Sequence, residues 1–421
     1  MRKRTYRTVD VKSVEPESVR AAFAGRRLVV SVDVAKWDMV AALVDEEQTI
    51  HRTVTWRHPS ETRHLLALLK ESGAASIEVV LEPSGTYGDA LRHQFALAGA
   101  EVYRVSPKRA HDAAEVYDGI PSWHDAKSAA VLSELHLDGR SEPWPVRSDE
   151  DREVKALVAE LDLYAKQGQS LLNQLEARLA CHWPELTEAL DLSSASLIEL
   201  VSAYGSPAAC AADPSGVERL LRKVSRGAVK KDKAVLVLAQ AGESLGQPMI
   251  DRELGLVRCI AAELLRCRQQ VTRLEREIDE LCRANELLGH LRRAVGPKTA
   301  AVVVAALGDP RQYARPRSYL KALGLALKEK SSGTIKGKLR ISKRGPGRCR
   351  WYLYLAVLRW IMADPIARAW YEAKVARDGG QLKGKAVVAL MRKLVRALWH
   401  VAHGATLDSR KLFDLAKLGL V

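Results

Sequence analysis

The chain has 421 residues, of which 47% are hydrophobic and 28% charged, with a formal charge of +15 and a pI of about 9.5. That length suits roughly two to four domains with buried cores and excludes a disordered tail protein. The cationic excess makes nucleic acid the first expected partner, ahead of an anionic membrane surface.

The first elements are strands. Leu28–Ala35 is apolar and β-branched, Met39–Val44 follows a turn-like Lys36–Asp38, and Thr49–Trp56 alternates. Such closely spaced runs predict an antiparallel meander. Leucines at 65, 66, 68 and 69 mark a helix over Ser60–Glu71, with Ser60 as its expected cap. A buried strand (Ile77–Leu81), a helix (Tyr87–Ala98), a strand (Glu101–Val105) and two helices (Pro107–Val116 and Asp125–Leu137) complete the order βββαβαβαα. That order implies a mixed sheet covered by helices, as in the RNase H-like nucleases.

Three carboxylates stand out within it. Asp33 is expected mid-strand, where a buried acid costs several kcal/mol unless it is paired or metal-bound. Glu82 ends the Ile77–Leu81 run, and Asp125 opens the last helix. In this topology the first and fourth strands are neighbours, and the last helix starts beside them. Together the three would form a Mg²⁺ site for phosphoryl transfer. Singly, each reads as a turn, loop or N-cap residue.

The middle of the chain is helical. Val257, Leu264, Val271 and Ile278 recur every seven residues, as do Ile260, Cys267, Leu274, Leu281 and Leu288. Asn285 takes the last a-type position, where a polar residue can fix register. With the looser pattern over Val154–Leu179, this predicts a coiled coil that is either an antiparallel hairpin or, as favoured by the length of the seam, a contact between subunits. Asp191–Gln247 is a helical insertion with no expected chemistry. The six cysteines contain no C-x-x-C pair, so neither zinc nor a disulfide framework is expected.

The positive charge concentrates near the C-terminus. Arg311–Arg350 holds thirteen Lys or Arg against one acid, Glu329. Lys336, Lys338, Arg340, Lys343, Arg344 and Arg348 are interleaved with Gly333, Gly337, Gly345 and Gly347, the composition of a phosphate-binding surface. It lies between helices expected over Arg317–Leu327 and Cys349–Ala363. Upstream, Gly296-Pro297-Lys298 before an apolar helix resembles a helix-hairpin-helix turn. Ser331-Ser332-Gly333 reads on its own as a loop.

The segments Asp33-Val34-Ala35-Lys36, Glu82-Pro83-Ser84-Gly85-Thr86-Tyr87-Gly88, Pro107-Lys108-Arg109 and His124-Asp125-Ala126-Lys127 resemble the N-terminal domain of the DEDD-type insertion-sequence transposases, the insertion sequence 110 family. Gly296-Pro297-Lys298-Thr299-Ala300, Ser332-Gly333 and Arg340-Ile341-Ser342-Lys343-Arg344-Gly345 resemble its C-terminal domain. The resemblance implies an α/β RNase H-like (RuvC-like) domain, a helical coiled-coil spacer and a mainly α basic transposase domain. The boundaries expected are a basic extension over 1–26, then 27–146, 147–290 with the insertion at 191–247, and 291–421. It implies Asp33, Glu82 and Asp125 as catalytic ligands of Mg²⁺, Ser332 as the catalytic serine that forms a covalent phosphoserine, and Lys108, Arg109 and Lys298 among the nucleic-acid contacts. It further implies a homodimer assembling to a tetramer, DNA as substrate and a structured bridge RNA as guide. No apolar run approaches the ~18 residues of a membrane span, and residues 1–27 lack a signal-peptide core, so the bacterial cytosol or nucleoid is the expected place.

One position departs from the family pattern. Where a second Asp is expected three residues after Asp125, this chain has Ser128. Either three carboxylates and water suffice, or metal binding is impaired. The competing readings are a guided serine recombinase, a metal-dependent structure-selective nuclease without the serine, and an inactive nucleic-acid-binding relic. Whether Ser331 can replace Ser332 stays open.

Overall fold

A computed structural model describes residues 7–83, 85–117, 119, 124–329, 337 and 339–420. The chain divides into two compact units, Met1–Val146 and Arg147–Val421.

The first unit is built on a seven-stranded mixed sheet. Its strands are β1 (Val9–Asp10), β2 (Arg27–Asp33), β3 (Asp38–Val44), β4 (Ile50–Arg57), β5 (Ser76–Leu81), β6 (Glu101–Arg104) and β7 (Glu142–Pro143), in the order β1-β4-β3-β2-β5-β6-β7. β2, β3 and β4 form the antiparallel meander, while β5 runs parallel to β2 and β6 parallel to β5. The β2 and β3 sequences are apolar on both faces because helices cover both. On one side α1 (Pro16–Phe23), α2 (Thr62–Glu71) and α3 (Asp89–Leu97) pack Phe23, Leu65 and Phe95 onto Val30, Val32 and Met39. On the other, α4 (Pro107–Val116) and α5 (Asp125–Leu137) lay small residues such as Ala110, Ala114, Ala126 and Ala129 against Val29, Ala42 and Val80. Residues Val9–Phe23 thus join the sheet domain, with Val11, Val19 and Phe23 buried in it. Ser60 does not cap α2: the cap position is Glu61, and the Ser60 hydroxyl donates to the Arg57 carbonyl instead.

The second unit hangs on two 34-residue helices, α6 (Asp149–His182) and α12 (Asp251–Ala284), each about 50 Å long at 1.5 Å per residue. They run antiparallel: Arg273 pairs with Glu160 at 2.7 Å and Asn285 donates to Glu150 at 3.1 Å. Between α6 and α12 lie five short helices, α7 (Leu186–Ala189), α8 (Ala195–Ala203), α9 (Pro207–Ala212), α10 (Pro214–Val224) and α11 (Lys231–Gly242), which share a core with Leu175, Leu179, Val257, Ile260 and Leu264. At the other end come α13 (Glu286–Val295), α14 (Pro297–Leu307), α15 (Pro316–Ala322), the β8–β9 ribbon (Leu327–Lys328 and Arg340–Ile341), α16 (Gly347–Ala363), α17 (Pro365–Arg377), α18 (Lys383–Ala402) and α19 (Ser409–Leu412). They share a core with Val154, Val158, Leu274 and Ile278.

The heptad seam is therefore covered by the chain itself, the hairpin alternative, and its length no longer argues for a contact between subunits. Asn285 is not a seam residue either. It ends α12 and caps α13, its side chain accepting from the Leu288 amide at 3.0 Å. The helix expected over Arg317–Leu327 stops at Ala322, because Gly324 turns the chain with φ +70°. All six cysteines are free. Among the described residues no helix is long and apolar enough to cross a membrane.

Candidate active site

Asp33 is the last residue of β2, not a mid-strand residue. Pairing with β3 stops at Asp33↔Val40, and Ala35–Trp37 form an exposed reversal that leaves the ladder. A strand end lets the carboxylate reach past the sheet edge instead of being sealed beneath it. β5 lies beside β2 in the register Val32↔Leu81, which sets Glu82, the next residue, level with Asp33. Side chains alternate along a strand. Asp33 therefore shares a face with Val29, and Glu82 with Val80, both of which pack under α4 and α5.

Asp125 is the first residue of α5. It does not cap the helix. His124 does, its ring nitrogen accepting from the Lys127 amide at 3.2 Å. Ser128 lies one turn further along the same face. The far end of α5 is tied down by a half-buried network. Arg27 donates to Glu78 at 2.8 and 2.6 Å, and His136 sits 2.6 Å from the same carboxylate. Burial alone would raise the Glu78 carboxyl, but the hydrogen bonds from Arg27 and His136 hold it below its usual range.

These elements bring the three acids into one field. Burial pushes the Asp33 carboxyl up from 3.8 to about 6, and repulsion from Asp125 and Glu82 adds to the shift. The Ser128 hydroxyl and the Val34 amide donate to Asp33 and partly offset it. Ser128 thus touches the site at the position where the family pattern would place a carboxylate.

All four side chains offer hard oxygen donors, the type a divalent cation prefers, and positive charge would relieve the repulsion on Asp33. Among the described residues, no three His, Cys, Asp or Glu side chains are drawn close enough to enclose an ion. The acids are neighbours in one electrostatic environment and not a formed coordination shell.

A cleft opens beside this edge. It is lined by Pro83, Arg104, Ser106, Arg109, Arg140 and Glu142. Arg109 donates to the Arg140 carbonyl, and Arg104 pairs with Glu142 at 3.2 Å. Arg104 and Arg140 have no motif signal in the sequence; only the pairing of β6 with β7 and the end of α5 bring them to Arg109. Ser128 was readable only as a departure from a pattern, and its bond to Asp33 depends on the start of α5.

The expected nucleic-acid contacts divide. Arg340, Lys343 and Arg344 are exposed around β9. Lys108 is exposed but bonded to Asp112 at 2.7 Å. Lys298 is bonded to Glu275 of α12 at 2.7 Å. Arg348 turns inward, paired with Asp162, donating to the Val158 carbonyl at 3.4 Å and lying 5.5 Å from the Tyr352 ring. Ion pairing ties Lys298 and Arg348 to the helical hairpin. Ser331, Ser332, Lys336 and Lys338 lie outside the described residues.

The flank of that segment is well fixed. The Lys343 amide donates to Gly324 at 2.9 Å, Ser342 to Ala326 at 2.7 Å, and the Arg350 guanidinium to the Gly345 and Leu323 carbonyls at 2.9 and 3.2 Å. A methyl group on Gly324 would stand 2.7 Å from the Arg344 carbonyl oxygen. Bare backbone is needed for this close approach.

Comparison with known proteins gives two family matches. Residues 30–184 match a DEDD model described as a transposase, and residues 293–372 match the "Transposase IS116/IS110/IS902 family". The chain is 26% identical over 324 residues to the insertion element IS110 uncharacterized 43.6 kDa protein of Streptomyces coelicolor, covering 73% of this chain and 77% of the relative. It is 26% identical over 386 residues to the insertion element IS900 uncharacterized 42 kDa protein of Mycobacterium paratuberculosis, covering 87% and 94%. It is 31% identical over 182 residues to the transposase for insertion sequence element IS1111A of Coxiella burnetii, covering 42% and 48%. The first match contains Asp33, Glu82, Asp125 and Ser128, and the second contains position 332 and the basic segment.

Proposed function

This chain belongs to the IS110/IS900 family of DEDD transposases, DNA phosphoryl-transfer enzymes, and we propose that it cuts and rejoins the strands of a mobile element with Asp33, Glu82 and Asp125 at one centre and Ser332 as nucleophile. The observation that supports the carboxylate part is the register of β2 and β5, which sets Glu82 level with Asp33, together with the hydrogen bond that ties the start of α5 to Asp33 through Ser128. The family implies a divalent metal, and Mg²⁺ is the ion proposed. When bound, it would neutralise charge building on the phosphate.

The chain's own residues supply the rest. Asp33, Glu82 and Asp125 would hold the ion, and Ser128 would orient Asp33. The exposed Arg340, Lys343 and Arg344 would hold the strand by its phosphates. The Ser332 oxygen would form a bond to phosphorus as a bridging P–O bond of the strand breaks, and the released sugar oxygen would take the proton. Attack by a sugar hydroxyl of another strand would reverse both changes, so the number of phosphodiester bonds is conserved and no energy source is needed.

The family resemblance further supports a bridge RNA as guide and a homodimer pairing into a tetramer, with carboxylate and serine domains of different subunits building one site. Such assembly would have to use surfaces other than the internal heptad seam. The domain limits proposed are 147–290 and 291–421 after a first domain that ends at 146 and takes in Val9–Phe23.

The test is a cleavage assay on DNA carrying the element ends, with the flanking non-coding RNA and Mg²⁺. Protein covalently joined to DNA, lost in Ser332→Ala but not in Ser331→Ala, is the expected result. Free ends unaffected by Ser332→Ala would establish the metal nuclease instead. Salt-sensitive binding without cutting would leave a binding relic.

A further inference from the structure

The helical insertion at the tip of the α6–α12 hairpin carries a concentrated positive surface that the carboxylate and serine chemistry does not use. Within twelve residues it places Arg222, Lys223, Arg226, Lys230, Lys231 and Lys233 against a single acid, Asp232. All six cations are exposed. Among the described residues none of the six is paired with a carboxylate. Some cations along the hairpin are neutralised: Arg266 pairs with Glu263, Arg273 with Glu160 and Glu277, and Arg283 with Asp279. What marks this cluster is density: six exposed cations without an ion-pair partner among the described residues fall within twelve positions.

The fold holds the cluster in place. α10 ends at Val224, and Arg226 and Gly227, at φ +52° and +83°, reverse the chain into α11. The Gly227 amide closes onto the Arg222 carbonyl at 3.0 Å, and the Val229 amide donates to the Ser225 hydroxyl at 3.0 Å. Val217, Leu221, Ala234 and Val237 are buried on the inner side of the same two helices, so the cations are confined to the outer side. α11 begins at Lys231 and has no side-chain cap. Its first-turn amides and dipole add to the field of Lys230, Lys231 and Lys233 at the end where an anion is favoured.

We propose that this turn is a second nucleic-acid contact, which grips the phosphodiester backbone of a duplex without reading its sequence. The residue types select that partner. Residues 222–233 contain no aromatic side chain on which an unpaired base could stack and no Asn or Gln to read a base edge. Lysines and helix amides chiefly contact phosphate, and only Arg222 and Arg226 carry the fork that could also reach a guanine edge. The contact would anchor a duplex on the hairpin tip, and it does not depend on the assignment of Asp33, Glu82, Asp125 or Ser332.

The experiment is a binding titration of the full chain against a duplex DNA of arbitrary sequence, about 30 base pairs long, repeated across salt concentrations. A duplex RNA and a single strand of equal length are run beside it. The triple variant Arg226→Gln, Lys230→Gln, Lys231→Gln is compared with Lys155→Gln, Lys166→Gln, Arg178→Gln, which removes the same charge from exposed positions along α6. The tip variant is expected to bind duplex at least ~10-fold more weakly near 0.1 M salt, with a log–log salt slope shallower by about 2–3, while the control changes by less than ~2-fold. The DNA and RNA arms identify which duplex the tip prefers. Lys231→Glu guards against misfolding, because an acid in the first turn of α11 favours the helix while opposing phosphate. Equal losses in the two triple variants, or no loss in a folded tip variant, would overturn the proposal, as would a preference for the single strand.

Discussion

The raised Asp33 carboxyl makes the metal-free protein pay a stability cost at neutral pH, and removing the charge should relieve it. In the folded chain Asp33 titrates near about 6, against 3.8 for an ordinary aspartate. At 1.36 kcal/mol per pH unit the gap corresponds to at most ~3 kcal/mol. Asp33 is only partly buried, so solvent screening reduces this to ~1–2 kcal/mol. The sign follows from linkage: a folded-state pKa above the unfolded one gives stability that is full below about 3.8 and lost as pH rises through about 6. Asp33→Asn, whose side-chain oxygen can still accept from Ser128, should therefore raise the melting temperature of the metal-free protein near pH 7.5 by roughly 3–6 °C, and give little gain near pH 4. Calorimetry with a chelator reads this directly. Added Mg²⁺ should stabilise the parent protein and much less the variant. Below about pH 6 the parent's metal affinity should fall by up to ~10-fold per pH unit, with close to one proton released per ion bound. Equal effects of Asp33→Asn at the two pH values would refute the reasoning.

Three other outcomes follow from particular contacts. Ser128→Asp replaces a donor to Asp33 by a fourth negative charge, and should destabilise the metal-free protein near neutral pH by ~1 kcal/mol while tightening Mg²⁺ about tenfold; unchanged metal titration and activity would discard the idea. Asn285→Ala removes the cap of α13 and the bond to Glu150, so thermal melting should show a loss of ~1 kcal/mol with no change in sedimentation, because Asn285 is not in an intersubunit seam. Gly324→Ala sets a methyl group against the Arg344 carbonyl at a φ of +70°, and should cost ~2 kcal/mol or more in stability and weaken DNA binding by the Arg340–Arg344 segment; an unshifted melt and affinity would contradict the packing described.

The order from β2 to α5 was legible because runs such as Leu28–Val32 and Val79–Leu81 are largely apolar on both faces and are separated by short polar breaks, whereas β1, α1 and β7 were not, being two short strands and a helix within a basic stretch. The end of β2 was not. The apolar run continues to Ala35, and only the pairing of Asp33 with Val40 shows where the ladder stops. The heptad pattern reported an apolar stripe on α12, but periodicity cannot say which surface covers it, and the looser pattern of α6 offered a partner within the chain without deciding against one in another subunit. Composition located the basic C-terminal segment without distinguishing Arg340, which faces solvent, from Arg348, which is held by Asp162 186 residues earlier. The pairing of Lys298 was equally hidden, because its partner Glu275 sits on a different helix. Charge is a property of the residue, and neutralisation is a property of the fold.

Ser128 shows how that distinction bears on the missing fourth acid. A carboxylate at 128 would face an Asp33 already raised by burial and two like charges, and without metal the additional repulsion would be borne by the apo protein. A hydroxyl at the same place donates to Asp33 and favours its charged form without adding charge. At the proposed metal site the exchange would therefore trade metal affinity for tolerance of the metal-free state. It would lower the number of strong ligands in the proposed set but keeps a hydrogen bond to Asp33, so the serine alone is not grounds for reading the chain as inert. On the proposed reading, activity would turn on whether the three carboxylates close around an ion that they do not enclose at rest, and the proton released on binding is the quantity that reports it.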